Sequence, residues 1–67
     1  MFIYDRFDAL IRETGVTKAS IARRLGRTPT VCQDWKAGKS EPNDEQLRIV
    51  AAALGTTPAY LRGATDQ

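Results

Sequence analysis

Thr30, Gln33 and Asp34 are the residues whose types and spacing offer this chain the most chemistry. A glutamine amide presents a donor beside an acceptor, a carboxylate only accepts, and a hydroxyl does either. Three such groups in close succession suit the reading of flat, hydrogen-bonding edges. Their surroundings are basic. Residues 17–39 hold Lys18, Arg23, Arg24, Arg27, Lys36 and Lys39 against the single acid Asp34, a net +5, while the rest of the chain is −3. Positive charge concentrated in this way is the electrostatic footprint of a phosphate-binding face. For Arg23 and Arg24 the plainer reading is equally open: they solvate the outer side of a helix. Catalysis has little to work with. There is no histidine, Cys32 has no activating base, the carboxylates are scattered on polar faces, and neither a metal-ligand cluster nor a phosphate-cradling loop occurs. The residues therefore point away from an enzyme, and call for no metal and no cofactor.

The elements that must carry these groups can be read from periodicity. Ile21, Ala22 and Leu25 fall on one stripe, which predicts a helix over residues 18–25, and Gly26 follows where a helix commonly ends. Thr28 is placed to supply an N-cap oxygen and Pro29 to take the first helical position, where its missing N–H costs nothing. The next helix then turns Val31, Cys32 and Trp35 inward and stops at Gly38. At about 100° per residue, Pro29, Thr30, Gln33, Asp34 and Ala37 are left on its outer face. Two short helices joined by a glycine-containing turn make the outline of a helix-turn-helix, whose second helix can enter a DNA major groove. A compact αα-hairpin of any purpose would share that outline.

The remaining segments extend the same pattern. Ile3, Phe7, Leu10 and Ile11 predict a helix over residues 2–14 closed by Gly15. Pro42, Asn43, Asp44 and Glu45 suit the start of a fourth helix, with Leu47, Val50, Ala51 and Leu54 as its inner face and Gly55 as its end. Thr57 caps a last short helix that opens with Pro58 and is anchored by Tyr60 and Leu61. Strand signals are absent. The expected fold is all-α, a compact bundle of five short helices forming one domain over residues 1–67.

Composition agrees with this. A hydrophobic share of 42% beside 27% charged residues is ordinary for a soluble globular chain. The single Cys32 excludes an internal disulfide, and its place beside Val31 favours a small core residue over a reactive thiol. No apolar run approaches the ~20 residues of a membrane span, and the acids Asp5 and Asp8 near the start argue against a signal peptide.

Across residues 17–61 the chain resembles the Cro/CI-type (XRE-type) helix-turn-helix domains of phage and bacterial repressors. The likeness rests on Thr17, Ile21-Ala22, Leu25-Gly26, Thr28, Trp35, Gly38, Pro42 and the run LRIVAAALGTTPAYLRG. One feature departs from the family pattern. Many members pair an arginine four residues before the glycine that closes the first helix with a glutamate after the aromatic of the third. Here Ile11 and Lys36 stand at those positions, so both halves of the pair are missing together.

The resemblance implies that helix three touches base edges through Pro29, Thr30 and Asp34, with Gln33 adjacent. Gln33 can bond adenine bidentately, Asp34 can accept from cytosine N4, Thr30 can bond a base or meet a thymine methyl, and Pro29 can only pack. For each, the plainer alternative is a polar residue on a solvated helix, and a carboxylate at Asp34 is repelled by phosphates unless it finds a donor. Backbone contacts are expected from Thr17 and Lys18 opening helix two, Arg27 and Thr28 in the turn, and Lys36, Lys39, Ser40 and Asn43 beyond helix three. Lys36 has Glu13 as a possible acid partner instead, and Trp35 is expected in the core.

The expected protein is a sequence-specific DNA-binding transcriptional regulator, a Cro-like or phage-repressor-like repressor that holds a double-stranded operator through helix three. A domain this small reads few base pairs, so a homodimer on DNA is expected, joined through Thr57, Pro58, Tyr60 and Arg62. Neither a membrane nor a small-molecule ligand is implied. The resemblance places the protein in the cytoplasm of a bacterium or a phage-infected cell. The rival is an antitoxin or adaptor of the same fold that acts mainly by binding proteins.

Overall fold

A computed structural model describes residues 1–65, and in it five helices follow one another: α1 (Tyr4–Thr14), α2 (Lys18–Arg24), α3 (Thr30–Ala37), α4 (Asp44–Leu54) and α5 (Pro58–Leu61). No strand occurs among the described residues, as the missing period-two pattern predicts. Each helix contributes its apolar stripe to one core. Phe7 comes from α1, Ile21 and Ala22 from α2, Val31, Cys32 and Trp35 from α3, Leu47, Val50, Ala51 and Leu54 from α4, and Leu61 from α5. Burying these side chains is the main favourable term in so small a domain, at about 25 cal/mol per Å² of apolar surface removed from water.

Local chemistry sets the ends. Thr17 Oγ1 accepts from the Ser20 N–H at 3.0 Å and caps α2. Asn43 and Gln46 form a reciprocal capping box on α4: Asn43 Oδ1 accepts from the Gln46 N–H at 2.8 Å, and Gln46 Oε1 from the Asn43 N–H at 3.0 Å. Thr57 caps α5 through the Tyr60 N–H, with Pro58 in the first turn. At the end of α3, Gly38 enters the left-handed region at φ 77°, and the Lys39 N–H closes on the Asp34 carbonyl at 2.9 Å.

Two expectations about boundaries need correction. The first helix begins at Tyr4 rather than Phe2, because the two residues before it are held in other bonds. The Phe2 N–H donates to Glu41 Oε1 at 2.7 Å and the Ile3 N–H to the Leu61 carbonyl at 2.7 Å, which keeps Ile3 extended. The hydroxyl of Thr28 does not cap α3. Pro29 is already helical in its dihedrals (φ −58°, ψ −17°), so the first turn closes through main-chain carbonyls: Val31 N–H to Thr28 and Cys32 N–H to Pro29, each at 3.1 Å.

The bundle is fastened at two further places. Phe2 and Phe7 lie edge-on to Trp35 at centroid distances of 5.4 and 5.7 Å, and Tyr4 is 5.6 Å from Phe7. Edge-to-face rings of this kind add to the stabilisation from burial alone. On the opposite flank, Arg6 Nη1 donates to the Tyr60 carbonyl at 2.8 Å and the Thr65 carbonyl at 2.5 Å, and its guanidinium lies 4.5 Å from the Tyr60 ring centroid. Among the described residues no helix is long and apolar enough to cross a membrane.

Candidate nucleic-acid interface

The inner face of α3 is fully committed: Val31, Cys32 and Trp35 are buried, and burial pushes the Cys32 thiol up against the opposing influence of the Lys18 charge. The thiol is thus protonated and covered, which suits a core residue. What remains of the helix faces outward. Pro29, Thr30, Gln33, Lys36 and Ala37 are exposed, while Asp34 is half-buried, so the carboxylate sits lower than an outward-facing residue needs to. The structure therefore offers Thr30 and Gln33 freely and Asp34 in part.

Around this helix the cations are bare. Arg23, Arg24, Arg27, Lys36 and Lys39 are exposed, and among the described residues none of them forms an ion pair. Lys36 does not reach Glu13. Arg23 and Arg24 occupy the last turn of α2, where a cation also complements the helix dipole. Thr28 and Ser40 are exposed on either side of α3. The side chain of Asn43 is half used: its Oδ1 holds the capping box, which leaves Nδ2 as its donor.

Lys18 differs from the other cations. Its ammonium lies 3.4 Å from Asp8 Oδ1 and 5.6 Å from the centroid of the Tyr4 ring, both on α1. Its pKa stands above the ordinary lysine value, first through a side-chain hydrogen bond with Tyr4 and then through the Asp8 carboxylate, against the opposing effect of partial burial. Asp8 is shared, since Arg12 Nη2 approaches its other oxygen at 2.8 Å. The Asp8–Arg12 pair has the i, i+4 spacing of a helix face and could be read in the sequence. The contact across to Lys18 could not, because it depends on how α1 crosses α2.

The residues expected to join two copies are already engaged within one chain. The Thr57 hydroxyl caps α5, Pro58 is half-buried in its first turn, Tyr60 lies beneath Arg6, and Arg62 pairs with Asp44. Tyr60 is accordingly half-buried, neither a core residue nor a free aromatic.

A family model described as Helix-turn-helix matches residues 9–61, which include the whole of α2, α3, α4 and α5. The chain belongs to the XRE-type helix-turn-helix family. That family is one of DNA-binding regulators and not typically of enzymes. Among curated proteins, the chain is 41% identical over 49 residues to the 26 kDa repressor protein of Escherichia phage HK022, covering 73% of this chain and 21% of that protein. It is also 37% identical over 43 residues to Multiprotein-bridging factor 1 of Eremothecium gossypii, covering 64% of this chain and 28% of that protein. The chain thus spans between a fifth and a third of the length of these relatives. No solved structure matches it significantly.

Proposed function

We propose that this domain is the sequence-specific DNA-binding part of a transcriptional repressor of the phage-repressor or Cro-like kind. The observation that carries the reading is the outer face of α3, where Thr30 and Gln33 are exposed amid cations that form no ion pair among the described residues. In a complex, Lys18, Arg27, Lys36 and Lys39, with Thr17, Thr28, Ser40 and Asn43, would hold the sugar–phosphate backbone and fix register. Pro29, Thr30, Gln33 and Asp34 would meet the bases. Repression would follow from occupancy alone, by excluding polymerase or another regulator from the operator. The relative named a repressor supports this assignment.

Two copies would bind a two-fold site with half-sites about one turn, roughly 34 Å, apart. Thr57, Pro58, Tyr60 and Arg62 would form the contact, with Arg62 exchanging Asp44 for a group on the other copy. Ultracentrifugation on an inverted-repeat duplex that shows only monomer would remove the dimer.

A second reading, an adaptor that chiefly binds proteins, is favoured by the relative whose name describes multiprotein bridging. Titration against random duplex at low salt separates the two. The repressor reading expects micromolar or tighter binding that weakens steeply as salt rises; no binding would put the adaptor ahead.

A further inference from the structure

Among the described residues, Lys18 is the one cation of α2 and α3 that pairs with an acid, and that contact bears on how the domain grips a phosphate chain. We propose that Asp8 is an intramolecular competitor for Lys18, so that α1 limits the non-specific affinity of the helix-turn-helix for a nucleic-acid backbone. The inference rests on the DNA-binding reading above and adds a residue outside the helix-turn-helix to it.

The geometry supplies the competition. The Lys18 side chain is 42% exposed and that of Asp8 22% exposed, so the ammonium is reachable from solvent while the carboxylate beneath it is more enclosed. A phosphate arriving at Lys18 must share the ammonium with an anion 3.4 Å away, or displace it. Either event brings negative charge towards negative charge. Tyr4 offers the ammonium a second attraction on the same helix: its ring, packed edge-on to Phe2 and tilted against Phe7, has its centroid 5.6 Å from Lys18 Nζ. Arg12 weakens the hold without removing it, because its guanidinium takes the other oxygen of Asp8 from a side chain that is 79% exposed. The contrast with Arg23, Arg24, Arg27, Lys36 and Lys39 is direct: none of those forms an ion pair with a described residue that a phosphate would have to displace.

The test is a double-mutant cycle on the intact domain, reading affinity for a random duplex across a range of salt. Asp8→Asn should raise affinity about twofold to fivefold at low salt, the range of a part-exposed ion pair. It should also steepen the slope of log K against log salt by up to about 0.9, the value of one added phosphate contact. In a Lys18→Ala background the same change should do nothing. Asp8→Ser repeats the measurement with a different neutral side chain, and thermal melts confirm that each variant is folded. If Asp8→Asn raises affinity equally with and without Lys18, Asp8 merely repels DNA at a distance and the competition is overturned. No binding of any duplex by the unaltered protein would instead overturn the DNA reading, and this inference with it.

Discussion

The two sides of this small bundle treat charge in opposite ways. On α1 and just after α5 the arginines are occupied: Arg6 holds the carbonyls of Tyr60 and Thr65, Arg12 pairs with Asp8, and Arg62 pairs with Asp44. Arg48 on α4 is the exception, exposed and without an ion pair among the described residues. On the helix-turn-helix the rule is reversed, with Arg23, Arg24, Arg27, Lys36 and Lys39 all left to solvent. Exposed ion pairs contribute little to stability, usually less than about 1 kcal/mol. Leaving five cations without an ion pair among the described residues therefore costs the fold little and keeps them available to an external anion. The division separates cations engaged within the fold from cations left to solvent, and Lys18 lies on the line between them.

Trp35 joins the two sides, so its loss should have the largest effect. Emptying an aromatic core position costs about 3–5 kcal/mol, and Trp35 is 4% exposed and packed against Phe2 and Phe7. Trp35→Ala should unfold the domain and abolish all binding, as read by circular dichroism and titration together. A folded variant would mean that the aromatic cluster is not what couples α1 to α3.

Gln33→Ala isolates the outer side. It should cost about 1–3 kcal/mol on the preferred duplex, almost nothing on random DNA, and leave the melting temperature in place. An unchanged ratio of specific to random binding, repeated for Thr30→Ala, would show that α3 does not read bases.

Asn43→Ala falls on the boundary in another sense, since its side chain caps α4 and is also assigned to the backbone. Loss of the capping box should lower stability by about 0.5–2 kcal/mol, measurable by urea unfolding. Binding should weaken equally on specific and random duplexes once only folded protein is counted. Full affinity in a folded variant would make Asn43 structural alone.

The smallest effects come from a matched pair that tests the charge division itself. Lys39→Ala should flatten the salt slope by about 0.9 without moving the melting temperature. Arg62→Gln should leave the slope per bound copy on random duplex alone and reduce stability by less than about 1 kcal/mol. Equal slopes for the two variants would erase the distinction between the sides.

The helices were legible because their signals are local. Ile21, Ala22 and Leu25, Val31, Cys32 and Trp35, and the inner row of α4 mark their buried faces by spacing, and Thr17, Asn43 and Thr57 stand where a cap is needed. Two boundaries differ from the local signals, one through distant groups and one through a neighbouring proline. The start of α1 is set by Glu41 and Leu61, far along the chain, and the periodicity of residues 2–14 carries no trace of either. At Thr28 a favourable cap residue lost to the dihedrals of the proline beside it. For the site, exposure of Thr30 and Gln33 followed from placing Trp35 inward. The hold of Tyr4 and Asp8 on Lys18 did not, because it is a property of the angle between two helices rather than of either one.

The Arg6 clasp has a consequence for the order of events in folding. It joins residues 54 and 59 positions apart, and a loop of that length costs about 3.5 kcal/mol in chain entropy beyond a constant. The packing of α2 on α3 needs only a short loop and can form while both ends are still loose. Chain entropy favours a late clasp, and weakening it should speed the opening of the finished domain while hardly slowing its formation. The lifetime of the native state would then depend on the junction of the first and last helices, and the unfolding rate of Arg6→Gln against its folding rate measures that dependence.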